Sequence, residues 1–140
     1  MENYQKIIKD IYLDLKDIDD VGKVANYIPE LGEVSADKFG INMTTTDNKS
    51  FDIGNANEKF SIQSISKILT LTLAYKLEGE KLWERLDVEP SGNPFNSLSQ
   101  LETDKGKPRN PFINAGAIVV CDVLIGHLKN PKKDFLDFCR

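Results

Sequence analysis

The residue types best suited to chemistry in this chain stand three apart: Ser64 and Lys67, in the run Phe60-Ser-Ile-Gln-Ser-Ile-Ser-Lys67. On a helix, positions i and i+3 share one face with Cβ atoms about 5–6 Å apart, so these two side chains can meet. An ammonium among apolar neighbours loses solvation, which favours its neutral form. A neutral lysine takes the proton of a serine hydroxyl much as histidine does in other hydrolases, and the serine oxygen can then attack an acyl carbon. If Ser64 opens the helix, its N–H has no intrahelical partner and is available to a developing oxyanion.

The spacing recurs at Ser35 and Lys38, where a strand-like run follows and no apolar helix lies behind. That pair serves as an internal control. The plainer reading of Ser64 and Lys67 is a serine near a helix start with a solvated lysine. Ser66 competes as nucleophile, but lies about 100° from Lys67 around a helix. Asn114, in Phe112-Ile-Asn-Ala-Gly-Ala117, reads either as an N-cap or as an amide that orients a polar substrate, with small neighbours allowing close approach. Tyr27 reads as a core tyrosine. His127 falls in the last turn of its helix, where positive charge is favoured, and no aspartate near it suggests a triad. Cys121 reads as a small packed hydrophobe. Glycine-rich phosphate loops are absent from the sequence.

These side chains need elements to hold them. Ile65, Ile68, Leu69, Leu71, Leu73, Ala74 and Leu77 cover most of a helical surface, so Ser64–Leu77 is expected to be a largely buried helix closed by Gly79. Ala115–Leu128 is a second apolar helix. Asn130-Pro131 opens a third, which carries Phe135, Leu136 and Phe138. The turn formers at 89–97 and 105–111 predict loops. Upstream, Tyr4, Ile7, Ile8, Ile11, Leu15 and Ile18 mark an amphipathic surface helix. Asp19, Asp20 and Gly22 end it, and Pro29 is expected to end any short helix before it. Phe39–Thr44 and Ser50–Gly54 alternate about Asp47-Asn48 and predict a hairpin with one buried face.

Composition restricts the function classes. The 140 residues are 40% hydrophobic and 29% charged with a net charge of −4, which fits an ordinary folded domain. The mild acidic balance gives no footprint for nucleic acid or anionic membrane. One histidine and two cysteines, Cys121 and Cys139, cannot make an all-cysteine zinc site or a disulfide framework. The N-terminus has no signal-peptide core, and no run approaches the ~18 apolar residues of a membrane span. Asn42-Met-Thr44 and Asn48-Lys-Ser50 match the glycosylation pattern, read here as chance. A reducing, cytoplasmic setting is expected.

Three motifs in order, Phe60–Lys67, Val88-Glu-Pro-Ser-Gly-Asn-Pro-Phe-Asn-Ser97 and Pro108-Arg-Asn-Pro-Phe-Ile-Asn-Ala-Gly-Ala117, closely resemble the serine-dependent glutaminases. The resemblance runs from about Gly22 to the last residue. It implies an α+β fold of helices packed on an antiparallel sheet, similar to serine β-lactamases and penicillin-binding proteins. It implies hydrolysis of L-glutamine to L-glutamate and ammonia with no metal or organic cofactor. Carried over by motif, Ser64 is the nucleophile that forms a γ-glutamyl ester and Lys67 its activating partner. Gln63 and Asn114 line the substrate site, and Tyr27 hydrogen-bonds the bound amino acid. Glutamine is the implied small-molecule partner, with neither nucleic acid nor membrane, and the full-length family is expected to be homo-oligomeric.

Family members run to about twice this length, and their second half supplies further substrate ligands and an oxyanion N–H. Residues 1–140 are therefore expected to be the N-terminal portion of a truncated domain with little or no turnover alone. Faces meant for the rest are expected to be exposed and to drive self-association. A truncated non-catalytic remnant is one alternative. Another serine acyl-transfer hydrolase of the same fold is a second, which the lack of a secretory signal disfavours.

Overall fold

The computed structural model describes residues 3–18 and 22–140, side chains 98 and 100 aside. Asp19 and Asp20, expected to punctuate the first helix, lie outside the described residues. The chain is divided into two compact units, Met1–Ser61 and Ile62–Arg140.

In the first unit the amphipathic pattern becomes α1, Tyr4–Leu15. Asn3 caps it, its side chain accepting from Lys6 N at 3.1 Å. Its apolar stripe buries Ile8 against a hairpin of β1, Gly40–Thr44, and β2, Ser50–Gly54. The strands pair antiparallel with Ile41 opposite Ile53 and Met43 opposite Phe51. These four side chains are half-buried and alternate with exposed Asn42, Thr44, Ser50 and Asp52, as period two requires. Aromatic pairs fasten helix to hairpin: Tyr12 stacks on Phe39 with centroids 5.1 Å apart, and Tyr4 tilts against Phe51 at 5.7 Å. Asn48 turns the hairpin with φ of 62°, a conformation asparagine tolerates.

Pro29 does not end a helix. It opens α2, Pro29–Gly32, from its first position. The reason is local. Proline forces its predecessor, here Ile28, to extended geometry, and its missing N–H costs nothing in a first turn.

The second unit is built on α3, Ser66–Glu78, and α5, Asn114–His127. Leu73 and Ala74 of α3 and Val120, Val123 and Leu124 of α5 form its core. Leu82, in a 3-10 turn over Gly79–Glu84, and Leu86 just after that turn complete it. Gly79 ends α3 at φ 60°, as its composition predicts. A short helix α4, Leu98–Thr103, lies between the two expected loops, and α6, Pro131–Phe138, begins at its proline. Phe135 and Phe138 pack on the core.

The expectation of a largely buried α3 is corrected. Ile68 is 56% and Leu77 40% exposed. An all-round apolar pattern says how many faces can be covered. Within this unit α5 and the Gly79–Glu84 turn cover one side, leaving those two side chains in solvent.

Candidate active site

Ser64 sits just before α3, in a 3-10 turn spanning Gln63–Ile65. The tight turn follows from Gln63, whose φ of 45° lies in the left-handed region that non-glycine residues rarely adopt. Ser64 itself is exposed. Ser66 begins α3 and spends its hydroxyl on a backbone bond, donating from Oγ to Gln63 O at 2.8 Å. That bond closes the turn and occupies the competing serine.

Lys67 follows one turn after Ser64 and is half-buried. Its ammonium donates to Phe112 O at 2.8 Å and to Asn114 Oδ1 at 2.9 Å. The Phe95 ring lies beneath it, 5.6 Å from nitrogen to centroid, adding a cation–π contact. Two of the three ammonium donors are thus committed across to the start of α5. Ser64 Oγ is not among these hydrogen-bond partners, so the apposition that the spacing allows is not a formed bond here.

Asn114 is not the N-cap. Ile113 holds that position with extended geometry, and Asn114 is the first helical residue. Its N–H donates to Phe95 O at 2.8 Å while its side chain accepts from Lys67. The 88–97 and 108–117 motifs therefore converge on one ammonium, through Phe95, Phe112 and Asn114. Beyond Asn114 a shallow trough of about 500 Å³ runs along α5, lined by Ala117, Ile118, Cys121, Asp122 and Ile125.

Other expectations are redrawn. Tyr27 is no core residue: it lies in the first unit, 74% exposed. Cys121 is exposed on the outer face of α5, where the apolar pattern could not tell front from back. His127 shares a 2.7 Å hydrogen bond with Glu78, joining the last turns of α5 and α3. In the control pair Lys38 is ion-paired with Glu58 and Ser35 bonds Asp37, and neither stands on a helix. The sequence pattern missed Phe112 O and the Phe95 ring. A backbone carbonyl carries no residue signature. Phe95 had one, as the single aromatic in a run of turn formers.

A family model described as Glutaminase matches residues 22–140. A glutaminase of Christiangramia forsetii is 54% identical over 138 residues, covering 99% of this chain and 45% of that protein. One of Saccharophagus degradans is 56% identical over the same length with the same coverage. Among solved structures, a probable glutaminase, ybaS, superposes with a TM-score of 0.91 at 28% identity, over 99% of this chain and 46% of its own. Mglu in its tris and glutamate form follows at 0.79 and 32% identity, over 99% and 30%. The chain thus spans less than half the length of the relatives it matches. The fold class shared with these structures is α+β.

Proposed function

We propose, from the premise that this chain belongs to the glutaminase family, that it carries the acylating half of an L-glutamine amidohydrolase. The observation behind this is the double anchoring of Lys67 to Phe112 O and Asn114 Oδ1, one turn after an exposed Ser64. With two N–H bonds given to those acceptors, the third position of the Lys67 nitrogen is left to face back along α3 toward the serine, and in the unprotonated amine that position is the lone pair. In the proposed reaction Ser64 Oγ attacks the γ-amide carbon. Its proton passes to neutral Lys67 and on to the leaving nitrogen, which departs as ammonia. Water then attacks the γ-glutamyl ester, gives a proton to Lys67, and glutamate leaves as Ser64 is reprotonated.

The N–H groups of Ile65 and Ser66 are spent inside the 3-10 turn, on Ile62 O and Gln63 O, so the oxyanion role is assigned to the N–H of Ser64 itself. Gln63 and Asn114 are assigned to the substrate side, and Tyr27 to the amino-acid end of the substrate, all three by resemblance to the family motifs. No helix among the described residues is long and apolar enough to cross a membrane. A homo-oligomeric assembly and a cytoplasmic setting belong to the same proposal.

The 45% coverage of the relatives favours a second reading for these 140 residues by themselves: acylation without efficient turnover. Losing one oxyanion donor alone costs about 10²–10³ in rate. The test is a diazoketone analogue of glutamine applied to the purified chain, followed by peptide mass mapping, beside an ammonia-release assay with Ser64→Ala as control. Adduct on Ser64 with ammonia release near the control level is the expected result. Ser64-dependent steady release would overturn the second reading, and absence of any Ser64 adduct would overturn the first.

A further inference from the structure

We infer that Asn110 is a positioning residue for Lys67, acting through the carbonyl of Phe112; the inference rests on the role proposed above for Lys67. The Asn110 amide has three partners. Its Oδ1 accepts from Phe112 N at 3.0 Å and from Ile113 N at 3.1 Å. Its Nδ2 donates to Glu89 O at 2.8 Å. The two accepted bonds fold residues 110–113 into a tight turn immediately before α5, an Asx-type arrangement that asparagine makes readily. The same turn presents Phe112 O to the Lys67 ammonium.

The donated bond belongs to a second set of contacts. Asp87 N donates to Pro108 O at 2.9 Å and Glu89 N to Arg109 O at 2.8 Å, so the 87–89 segment lies along the approach to the turn. Nδ2 extends that ladder by one rung. One side chain therefore does two separable things: its oxygen shapes the turn that faces Lys67, and its nitrogen ties the turn to a neighbouring segment. No hydrogen bond joins Asn110 to Ser64 or Lys67, so the hydrogen-bonded route from Asn110 to Lys67 passes through Phe112.

Aspartate separates the two roles. As a carboxylate it accepts but cannot donate, so Asn110→Asp keeps the Phe112 and Ile113 bonds and loses the Glu89 bond. Asn110→Ala loses all three. Two readouts on the full chain are used: the rate of Ser64 labelling by the glutamine-like diazoketone, split into saturation constant and limiting rate, and the ¹⁵N signal of the Lys67 ammonium. The inference expects Asn110→Ala to lower the limiting rate about 10-fold or more, with the saturation constant little changed, since a misplacement near 1 Å costs up to about 10². It expects the Lys67 ammonium signal to move or broaden in Asn110→Ala, and Asn110→Asp to recover most of both. Equal damage in the two variants would overturn it, because the Glu89 tether would then be what matters. An unmoved Lys67 signal in a folded Asn110→Ala would overturn it as well. The ammonium readout does not depend on reactivity: an unlabelled wild-type chain whose Lys67 signal still responds to Asn110→Ala counts against the proposed function and supports this inference.

Discussion

The carbonyl oxygen of Asn110 lies where a side chain on Gly116 would begin: a Cβ there would stand 2.0 Å from it. Asn110 C and Pro111 Cα would each be 2.9 Å away. All three are backbone atoms, so no rotamer change relieves the contact. The first turn of α5 is pressed against the 110–111 turn because residue 116 has no side chain. Gly116→Ala is therefore expected to push the two apart. Overpacking of this kind costs about 1–3 kcal/mol, which lowers the melting temperature by several degrees in a chain of this size. The same displacement carries Phe112 O and Asn114 away from Lys67, so Ser64 labelling should slow along with the loss of stability. Thermal denaturation followed by circular dichroism checks the first effect. A melting temperature equal to wild type would show that the turn yields freely.

The Glu78–His127 pair makes an acid-side prediction. The hydrogen bond from His127 chiefly holds the Glu78 carboxyl below its usual value of 4.5, with the nearby charges of Lys81 and Arg85 adding to the effect. A carboxyl lowered in the folded state binds fewer protons there than in the unfolded chain. Its contribution is thus present above the usual value and lost as pH falls through the folded one. The stability deficit of His127→Gln should accordingly be present above the usual value of 4.5 and shrink as pH falls below it. Urea denaturation midpoints at several pH values measure it. A deficit constant across that window would show that Glu78 titration does not carry the pair.

Lys67 separates charge from basicity. Arginine keeps a permanent positive charge and donates in several directions, but does not lose a proton in proteins. Lys67→Arg can retain bonds toward Phe112 O and Asn114 Oδ1, whereas Lys67→Met retains neither. If Lys67 accepts the Ser64 proton, both variants should label about 10²–10⁴-fold more slowly. Lys67→Arg should nevertheless melt closer to wild type. Labelling of Lys67→Arg at the wild-type rate would reduce Lys67 to a structural cation.

How far the site was legible in the sequence depends on the reach of each contact. The Ser64–Lys67 spacing is local, and so are the alternation of Ile41, Met43, Phe51 and Ile53 and the apolar run of α5; period and spacing display all of these directly. The partners of Lys67 lie 45 and 47 residues downstream, one of them a main-chain oxygen, and no local pattern encodes such a meeting. Tyr27 and Cys121 look packed by type but are exposed, because residue type records affinity for a core, while the neighbours available to each element decide whether a core is there. Pro29 opens a helix where its type equally allows an end, because proline does both. Asn114 looks like a cap in sequence because caps and ligands use the same amide.

Gln63 supplies the sharpest stability test beside Ser64. At φ 45° any residue with a Cβ is strained, and strain in such a region costs roughly 1–3 kcal/mol. Glycine escapes it. The comparison to make is Gln63→Ala against Gln63→Gly, since both lose the same side-chain contacts and differ chiefly in the Cβ. In ordinary loop or helix positions alanine is the more stable of the two by about 0.4–1 kcal/mol, through the unfolded chain's entropy. Here the order should reverse, with Gln63→Gly melting above Gln63→Ala. Ser64 labelling adds the functional half of the test. The left-handed residue aims the turn, so freeing it should broaden the orientations of Ser64 and slow labelling in Gln63→Gly relative to Gln63→Ala, even as stability rises. If Gln63→Gly were both the more stable and the faster to label, the strain would have no part in presenting Ser64.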